Sequence, residues 1–232
     1  MALVSAESIA KHYGEGDARV TALAGVSLGV DGGEYVAIMG PSGSGKSTLL
    51  SILGAMNPPT HGRLLLDGID VYALSQERQA DLRREYIGFV FQQLELIPYL
   101  TALENVMLPL AITPDRDKRE RALDALDRVG LDEVKARRLP SELSGGEQGR
   151  VAIARAIVNH PPVVLADEPV GSLDTSTGRQ ILEQLRGLAD AGHAVIMVTH
   201  NPESTEHVDR IVQIRDGRVT CDDRPVDCPV PV

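Results

Sequence analysis

The N-terminal part of the chain alternates between apolar and polar residues. The alternation covers Leu3–Ile9 and Val20–Val30, and it recurs in Arg63–Val71 on both sides of Asp67 and Gly68. A period of two is typical of strands with one exposed face, and an Asp-Gly pair favours a tight turn between two strands. The pattern therefore predicts an antiparallel sheet in this part of the chain.

Three later segments are apolar without interruption, and they are Tyr35–Met39, Val163–Ala166 and Ala194–Val198. Short continuous runs of this kind are typical of parallel strands that are buried on both faces. They predict a second sheet, mainly parallel, at the core of an α/β domain.

Polar residues follow each of these apolar runs. A glycine-rich loop that begins at Gly40 follows the first run, Asp167 and Glu168 follow the second, and Thr199 and His200 follow the third. Open α/β sheets bind ligands beyond the carboxyl ends of their strands. We therefore expect one shared active site at this edge of the parallel sheet.

The segment from about Gln93 to Asn159 has a mostly helical pattern. Arg116–Val129 carries apolar residues on one side among alternating charges, which predicts an amphipathic helix that ends at Gly130. Val151–Val158 is apolar nearly all round, which predicts a buried helix. We expect residues 93–160 to form a helical subdomain inserted into a single domain of 232 residues.

The composition limits the partners and the location that we expect. The formal net charge of −10 argues against nonspecific binding to nucleic acid, which depends on Lys and Arg side chains. No window approaches the roughly 20 apolar residues of a membrane span, and Met1–Lys11 lacks the pattern of a secretory leader. We therefore expect a cytoplasmic protein that does not bind nucleic acid.

Residues 222–232 contain several prolines, and we expect this tail to be loosely ordered. Cys221 and Cys228 are the only cysteines, and two thiols this close in sequence cannot form a four-ligand zinc site alone. We expect both thiols to be free and reduced.

The glycine-rich loop has the sequence G-P-S-G-S-G-K-S, which matches the phosphate-binding pattern G-x-x-x-x-G-K-S. In this pattern backbone N–H groups surround the phosphates, Lys46 reaches the outer phosphates, and the Ser47 hydroxyl binds Mg²⁺. The apolar run before the loop and the helical pattern over Ser47–Leu53 supply the strand and helix that the motif requires. The residues expected to bind nucleotide here are Gly40, Pro41, Ser42, Gly43, Ser44, Gly45, Lys46, Ser47 and Thr48.

Asp167 and Glu168 are adjacent carboxylates, which repel each other unless a cation lies near them. Asp167 and Ser47 offer the oxygen ligands that Mg²⁺ prefers, and Glu168 would orient and deprotonate the attacking water. A capped helix start before Pro169 is the alternative. A lone histidine is most often structural, but His200 at the same edge would donate to the γ-phosphate and stabilise charge during phosphoryl transfer.

The segment Ser144–Glu147 supports two interpretations. In the first, Ser144 and Glu147 form a capping box, S-x-x-E, which starts a helix. In the second, Gly145 and Gly146 leave backbone N–H groups uncovered at a helix N-terminus, which makes a second anion site. The two can hold together, and the spacing does not decide whether this site would face the triphosphate within one chain or from another copy.

With these motifs in place, the chain closely resembles the ATP-binding cassette (ABC) ATPases over nearly its whole length. The resemblance implies an ATPase with the ABC type of P-loop NTPase fold, a mainly parallel core sheet, an N-terminal antiparallel β-subdomain and an inserted helical subdomain, with ATP and Mg²⁺ as cofactors. The family's motifs fall in order at Tyr13 (A-loop), Gly40–Ser47 (Walker A), Gln92 (Q-loop), Leu143–Glu147 (signature), Val163–Asp167 with Glu168 (Walker B), Ser172–Asp174 (D-loop) and His200 (H-loop).

The resemblance also implies roles that the residues alone do not define. It implies that Tyr13 stacks on adenine and that Gln92 contacts Mg²⁺ or water and senses a membrane partner. A half-buried strand tyrosine and a solvated surface amide are the alternatives. It further implies that two copies pack head to tail, that each signature closes the other copy's Walker A, and that Asp174 lies at the dimer seam.

Residues Gly88–Val106 look like one subgroup of the family, which includes the ATPases of lipoprotein-releasing, macrolide-exporting and cell-division systems. Members of this subgroup drive a separate or fused membrane permease, which implies a peripheral position on the inner face of the cell membrane. An apolar cluster in this segment would line the groove for the permease or belong to the core. Its residues are Leu94, Leu96, Ile97, Tyr99 and Leu100.

Several positions depart from the family pattern. Glu147 stands where glutamine is commoner, Gly149 replaces a long polar residue, and Val170 and Ser172 replace commoner polar or small residues. Glu147 places a negative charge near phosphate but also near a favourable helix dipole, and Gly149 lowers helix stability by about 1 kcal/mol. None of these changes removes a group needed for hydrolysis, so we predict an active enzyme.

Two other functions within the family remain open at this point. One is a soluble cassette that acts on ribosomes or DNA, although such proteins usually carry two cassettes or long coiled-coil insertions that this chain lacks. The other is a regulator whose ATP cycle gates a cell-wall enzyme through a membrane partner. The sequence does not separate this regulator from an exporter.

Overall fold

Two β-sheets with different strand directions organise the fold. The structure is a computed structural model, and it describes residues 2–112, 116–171 and 173–228. Its strands are β1 (Val4–Tyr13), β2 (Val20–Val30), β3 (Tyr35–Met39), β4 (His61–Leu66), β5 (Ile69–Asp70), β6 (Ile87–Val90), β7 (Val163–Asp167), β8 (Ala194–Thr199), β9 (Arg210–Arg215) and β10 (Arg218–Asp223). Its helices are α1 (Lys46–Leu53), α2 (Gln76–Tyr86), α3 (Ala102–Met107), α4 (Lys118–Arg128), α5 (Glu133–Ala136), α6 (Gly145–Ile157) and α7 (Thr175–Asp190). None of the helices in these ranges is both long enough and apolar enough to cross a membrane.

The first sheet is antiparallel, as the alternating pattern predicts. Its strand order is β2-β1-β4-β5. Asp67 and Gly68, with φ of 49° and 78°, both take the left-handed conformation. This is the conformation that a two-residue turn requires when it matches the twist of its strands, and it pairs Leu66 with Ile69.

The second sheet has the order β10-β9-β3-β8-β7-β6. Strands β9, β3, β8, β7 and β6 are parallel to their neighbours, and only the pairing of β10 with β9 is antiparallel. Every residue of β3 and β8 is buried, which confirms that the continuous apolar runs are central parallel strands. The sequence interpretation did not include β6, β9 or β10, because these strands are short or carry charged residues among the apolar ones.

The helices α3, α4, α5 and α6 lie between β6 and β7 in the chain, so the predicted helical character of this region is largely correct. The amphipathic helix is α4, and it buries Ala122, Ala125 and Leu126. The prediction is wrong at the start of the region, because the segment 93–101 is not helical. A buried asparagine fixes part of it: Asn105 accepts from the Ile97 N–H and donates to the carbonyl of Leu100.

The expectation of a loose tail from Asp222 is wrong for its first residues, since Asp222 and Asp223 belong to β10.

The expectation of free thiols is also wrong, because Cys221 and Cys228 form a disulfide with a Cα–Cα distance of 6.0 Å. The pairing follows from a turn in which the Cys228 N–H donates to the Arg224 carbonyl and brings the chain back beside β10. Residues 229–232 of the predicted tail lie outside the described residues.

Candidate active site

The carboxyl ends of four neighbouring parallel strands form one edge of the second sheet. Met39 of β3 pairs with Thr199 of β8, and Asp167 of β7 pairs with Val198 of β8. The residues that follow these strands therefore lie side by side, as the sequence predicts. β6 adds the segment that contains Gln92 to the same edge, a position that the sequence interpretation reached only through the family resemblance.

The glycine-rich loop after β3 needs glycine for steric reasons. Gly40 and Gly45 have φ of 155° and 106°. A Cβ at Gly40 would clash with the carbonyl of Ile214, and one at Gly45 would clash with the carbonyl of Ala22. The main chain of neighbouring segments thus holds the loop in a shape that only glycine allows at these positions.

Lys46 begins α1 at the end of this loop, and it is only 8% exposed. Its ammonium donates to the carbonyls of Gly40 and Pro41 at 2.8 and 2.9 Å, which holds the charge at the mouth of the loop. The hydroxyl of Ser44 is buried in the same loop without a hydrogen-bond partner among the described residues. A buried polar group without a partner, in a glycine-rich loop at a helix N-terminus, fits an anionic ligand.

Glu168 and His200 meet at the sheet edge. His200 Nδ1 lies 2.7 Å from Glu168 Oε1, and the Glu168 side chain is 14% exposed whereas His200 is 65% exposed. Glu168 has a φ of 48°, which is uncommon outside glycine, and its N–H donates to the Val198 carbonyl. Such a conformation costs about 1–3 kcal/mol. The geometry gives a carboxylate whose direction is set by a histidine.

Asp167 is a carboxylate that benefits from a nearby cation. Burial raises its pKa, the neighbouring Glu168 raises it further, and Lys46 opposes both effects. A bound metal ion would relieve the same burial and repulsion. Mg²⁺ keeps several water or phosphate ligands besides a few protein oxygens. The oxygens of Ser47 and Asp167 therefore suit Mg²⁺.

Gln92 is exposed, and its amide lies close to Gly171, which follows the Walker B strand. The next residues are unusual, because Leu94 and Glu95 both have left-handed φ values of 54° and 47°. Arg155 on α6 donates to the carbonyls of Leu94 and Glu95 at 2.6 and 2.5 Å. The helix that begins at the signature therefore holds the segment after Gln92. The sequence offered one indication of this contact, because Arg155 is the one charged residue in the apolar run Val151–Val158.

Tyr13 ends β1 and is 43% exposed. Its hydroxyl accepts a hydrogen bond from the Asn57 amide at 2.8 Å, and the Lys11 ammonium lies 5.2 Å from the ring centroid. The ring is therefore anchored at its hydroxyl and still accessible to a planar ligand. Neither Lys11 nor Asn57 was among the residues predicted to matter.

The signature segment forms the predicted capping box at the start of α6. The Glu147 N–H donates to Ser144 Oγ at 3.3 Å, and the Ser144 N–H donates to Glu147 Oε2 at 2.9 Å. Ser144 and Gly145 are exposed, so the end of the helix remains open to a ligand. Gly146 is buried instead, and a Cβ there would lie 2.5 Å from Thr177.

Asp174 caps α7 by accepting hydrogen bonds from the N–H groups of Thr177 and Ser176 at 3.0 and 3.1 Å. Hydrogen bonds from these two residues hold the pKa of Asp174 well below its usual range. Asp174 is exposed and therefore accessible to another subunit. Ser172, the first residue of the predicted D-loop, lies outside the described residues.

The residues of the predicted apolar cluster differ in burial. Leu96 packs against the hydrophobic core, whereas Tyr99 is 78% exposed. A separate apolar cleft lies beside α2. Its lining residues are Met56, Ala80, Arg83, Arg84, Phe89, Leu108, Pro109 and Ile112.

Comparison with known proteins relates this fold and site to one family. The family model described as ABC transporter matches residues 23–171. An uncharacterized ABC transporter ATP-binding protein of Thermotoga maritima is 51% identical over 211 residues, which are 90% of this chain and 90% of that protein. The macrolide export ATP-binding/permease protein MacB of Brucella melitensis is 47% identical over 231 residues, which are 99% of this chain but 36% of MacB. The chain therefore spans well under half of the macrolide-export proteins that it matches.

Solved structures show the same fold. The dimeric structure of MJ0796, a bacterial ABC transporter cassette by its description, matches with a TM-score of 0.85 at 43% identity and covers 95% of this chain and 98% of that chain. A dimeric post-hydrolysis state of the MJ0796 cassette, bound to ADP and Pi, matches with the same TM-score of 0.85. The protein in both structures, MJ0796, is named an uncharacterized ABC transporter ATP-binding protein of Methanocaldococcus jannaschii.

A parallel sheet with a glycine-rich phosphate loop between a buried strand and a helix defines the class of P-loop NTPases. Within that class, the matching family model and the similarity to whole cassettes show that the chain belongs to the ABC transporter family. It is an ATP-hydrolysing cassette of this family.

Proposed function

We propose that the chain is the ATPase subunit of an ABC transporter complex and works as a head-to-tail homodimer around two ATP molecules. In each composite site, the loop of Gly40–Ser47 holds the triphosphate of one subunit. The exposed N-terminus of α6 at Ser144 and Gly145 then faces the γ-phosphate from the other subunit. The presence of two separate open helix N-termini in one chain, at α1 and α6, supports this arrangement most directly.

We base the proposed catalytic roles on the residues that lie at the carboxyl ends of the parallel strands. Glu168 orients the attacking water and accepts its proton, and His200 sets the direction of the Glu168 carboxylate and donates towards the γ-phosphate. Lys46 neutralises charge on the outer phosphates. Mg²⁺, held by Ser47 and Asp167, would supply further stabilisation of phosphate charge.

The remaining assigned residues bind or sense the nucleotide. Tyr13 stacks on adenine with its hydroxyl held by Asn57. Gln92 reaches the Mg²⁺ and water region, and Asp174 contributes to the seam between the subunits. The exposed positions of these three side chains support their access to ligand and partner.

We further propose that an integral membrane permease docks on the apolar cleft beside α2. Met56 and Ile112 line this cleft and are 48% and 74% exposed, and exposed apolar clusters are typical of protein interfaces. The MacB relatives are named ATP-binding/permease proteins. The cassette would then sit on the inner face of the membrane and drive export, lipoprotein release or mechanical transmission across it. No described feature favours a role on ribosomes or DNA, and the net charge of −10 opposes one.

A mixing experiment tests the head-to-tail site. Lys46→Ala removes the phosphate lysine, and Ser144→Arg blocks the α6 N-terminus, so each variant alone should lack ATP-dependent association. A heterodimer of the two has one site with both groups intact and one with neither. We therefore expect labelled chains of the two variants to associate in Mg-ATP only when mixed.

A mixture that associates no better than the separate variants would reject the composite site. The permease is tested separately, by recovery of the tagged chain from membranes. Recovery with ribosomes or nucleic acid, without a membrane protein, would favour the alternative function.

A further inference from the structure

Lys135 on α5 forms an ion pair with Glu147 of the signature. Its Nζ lies 2.5 Å from Glu147 Oε1, and the two side chains are 33% and 14% exposed. The other carboxylate oxygen of Glu147 accepts the Ser144 N–H at 2.9 Å. Both oxygens of Glu147 are therefore engaged, one by a cation and one by the capping box.

The position of Lys135 is itself fixed by the local structure. Asp132 caps α5 by accepting a hydrogen bond from the Lys135 N–H at 2.9 Å. By contrast, Arg137, which directly follows α5, pairs with Glu133 at 3.5 Å, and these side chains are 71% and 67% exposed. Exposed pairs of that kind contribute little. The Lys135 pair is the shorter and more buried of the two.

The charge of Glu147 matters because of where it lies. A helix N-terminus attracts anions through its N–H groups and its dipole, but an ionised carboxylate in the first turn repels a phosphate. The hydrogen bond from Lys135, followed by that from Ser144, lowers the pKa of Glu147 to about 2. Glu147 is therefore ionised at neutral pH, and its charge must be balanced if the helix end is to receive a triphosphate.

We propose that Lys135 is a positioning residue for ATP hydrolysis, because its ammonium balances the Glu147 carboxylate and keeps the α6 N-terminus at Ser144 and Gly145 attractive to the γ-phosphate. This inference rests on the proposed head-to-tail function. Lys135 acts through Glu147 and does not itself touch the nucleotide.

The test measures the Mg-ATP concentration that gives half-maximal dimerisation in a Glu168→Gln parent, which is expected to bind ATP without hydrolysing it. Lys135→Met should raise this concentration about tenfold, within the coupling range of side chains in contact. Lys135→Gln, which keeps a hydrogen-bond donor without the charge, should show the same defect. Lys135→Arg should stay within about twofold of the parent, because the charge is retained.

Glu147→Gln separates charge from structure, since glutamine also completes a capping box. Adding it to Lys135→Met should remove the defect, because no uncompensated charge remains. Arg137→Met is the matched control for loss of a positive charge directly after the same short helix, and it should not change the half-maximal concentration.

Three results have distinct meanings. A Lys135→Met or Lys135→Gln chain that dimerises like the parent overturns the inference. A defect that persists after Glu147→Gln also overturns it, because the role would then be structural. A parent that never dimerises in Mg-ATP rejects the proposed function itself, and the role of Lys135 with it.

Discussion

Glu168 is held in place by its backbone as well as by its side chain. Its left-handed φ of 48° and the hydrogen bond from its N–H to Val198 turn the carboxylate towards His200, 2.7 Å away. The Glu168 carboxylate is largely buried and contacts the exposed His200. This arrangement suits a carboxylate that accepts a proton from a water next to the γ-phosphate.

We expect Glu168→Gln and His200→Ala to lower turnover by about 10²-fold or more, because each removes a group that acts in the transition state. ATP affinity should change little, since the phosphate loop is untouched. Steady-state phosphate release and nucleotide binding measure the two effects. Glu206→Gln, at a carboxylate 3.9 Å from Arg179, is the control for loss of a surface charge. Near-normal turnover of Glu168→Gln would remove Glu168 from its assigned role.

Lys46→Ala should abolish detectable ATP binding and hydrolysis. The substitution removes the charge that the loop carbonyls of Gly40 and Pro41 hold in place. Nucleotide titration with a fluorescent ATP analogue measures the loss, and thermal unfolding checks that the chain remains folded. Unchanged affinity would contradict the assignment of the phosphate loop.

At the residue scale, prediction from sequence succeeded where a motif joins residue type to spacing. Ser144 and Glu147 were predicted as a capping box, and the structure contains it. The ion pair of Glu147 with Lys135 was not predicted, because it depends on how α5 packs beside α6 and has no fixed spacing. The disulfide was missed for the same reason, since a turn after β10 decides whether Cys228 meets Cys221.

The start of α6 packs against α7 through glycine. Gly149 is buried, and a Cβ there would lie 2.9 Å from Ile181 Cδ1. The sequence suggested only that Gly149 weakens its helix. The structure adds a packing reason for glycine at this position, where a long side chain has no room.

We expect Gly149→Leu to destabilise the fold by about 1–3 kcal/mol, because it overfills the contact between α6 and α7. Gly187→Ala on α7 is the matched control, since nothing lies within 4 Å of its added Cβ. It should stabilise the chain by about 0.5–1 kcal/mol through helix propensity. Urea unfolding of both variants measures these changes. A Gly149→Leu chain as stable as the wild type would contradict the packing argument.

At the element scale, continuous apolar runs identified β3, β7 and β8 correctly, because central parallel strands are buried on both faces. β6 and β9 were missed. β6 is only four residues long, and β9 begins and ends with arginine. The apolar residues of the loop at 93–101 mimic a helical pattern, whereas Asn105 fixes part of it as irregular chain.

For the whole molecule, the cleft beside α2 gives a testable docking surface. Ile112→Asp should reduce recovery of a co-expressed permease by about tenfold or more, since it places a charge in an apolar interface. The ATPase activity of the isolated chain should not change. Val226→Asp, at an apolar residue that is 88% exposed and outside the cleft, is the matched control. If the wild type, Ile112→Asp and Val226→Asp recover the permease equally, the permease does not dock on this cleft.

The family and the α/β fold were predicted from sequence because the motifs fall in order along one chain. The pairing of two chains was predicted only through the family resemblance, since residue spacing does not distinguish a site within one chain from a site between two. The similarity to the dimeric MJ0796 cassette supports the arrangement between two chains.

The most direct test of the account is the oligomeric state of Glu168→Gln by light scattering after size exclusion. We predict a dimer in saturating Mg-ATP, and a monomer with ADP or after a further Ser144→Arg substitution. A strictly monomeric Glu168→Gln chain in saturating Mg-ATP, even with its permease present, would contradict the account.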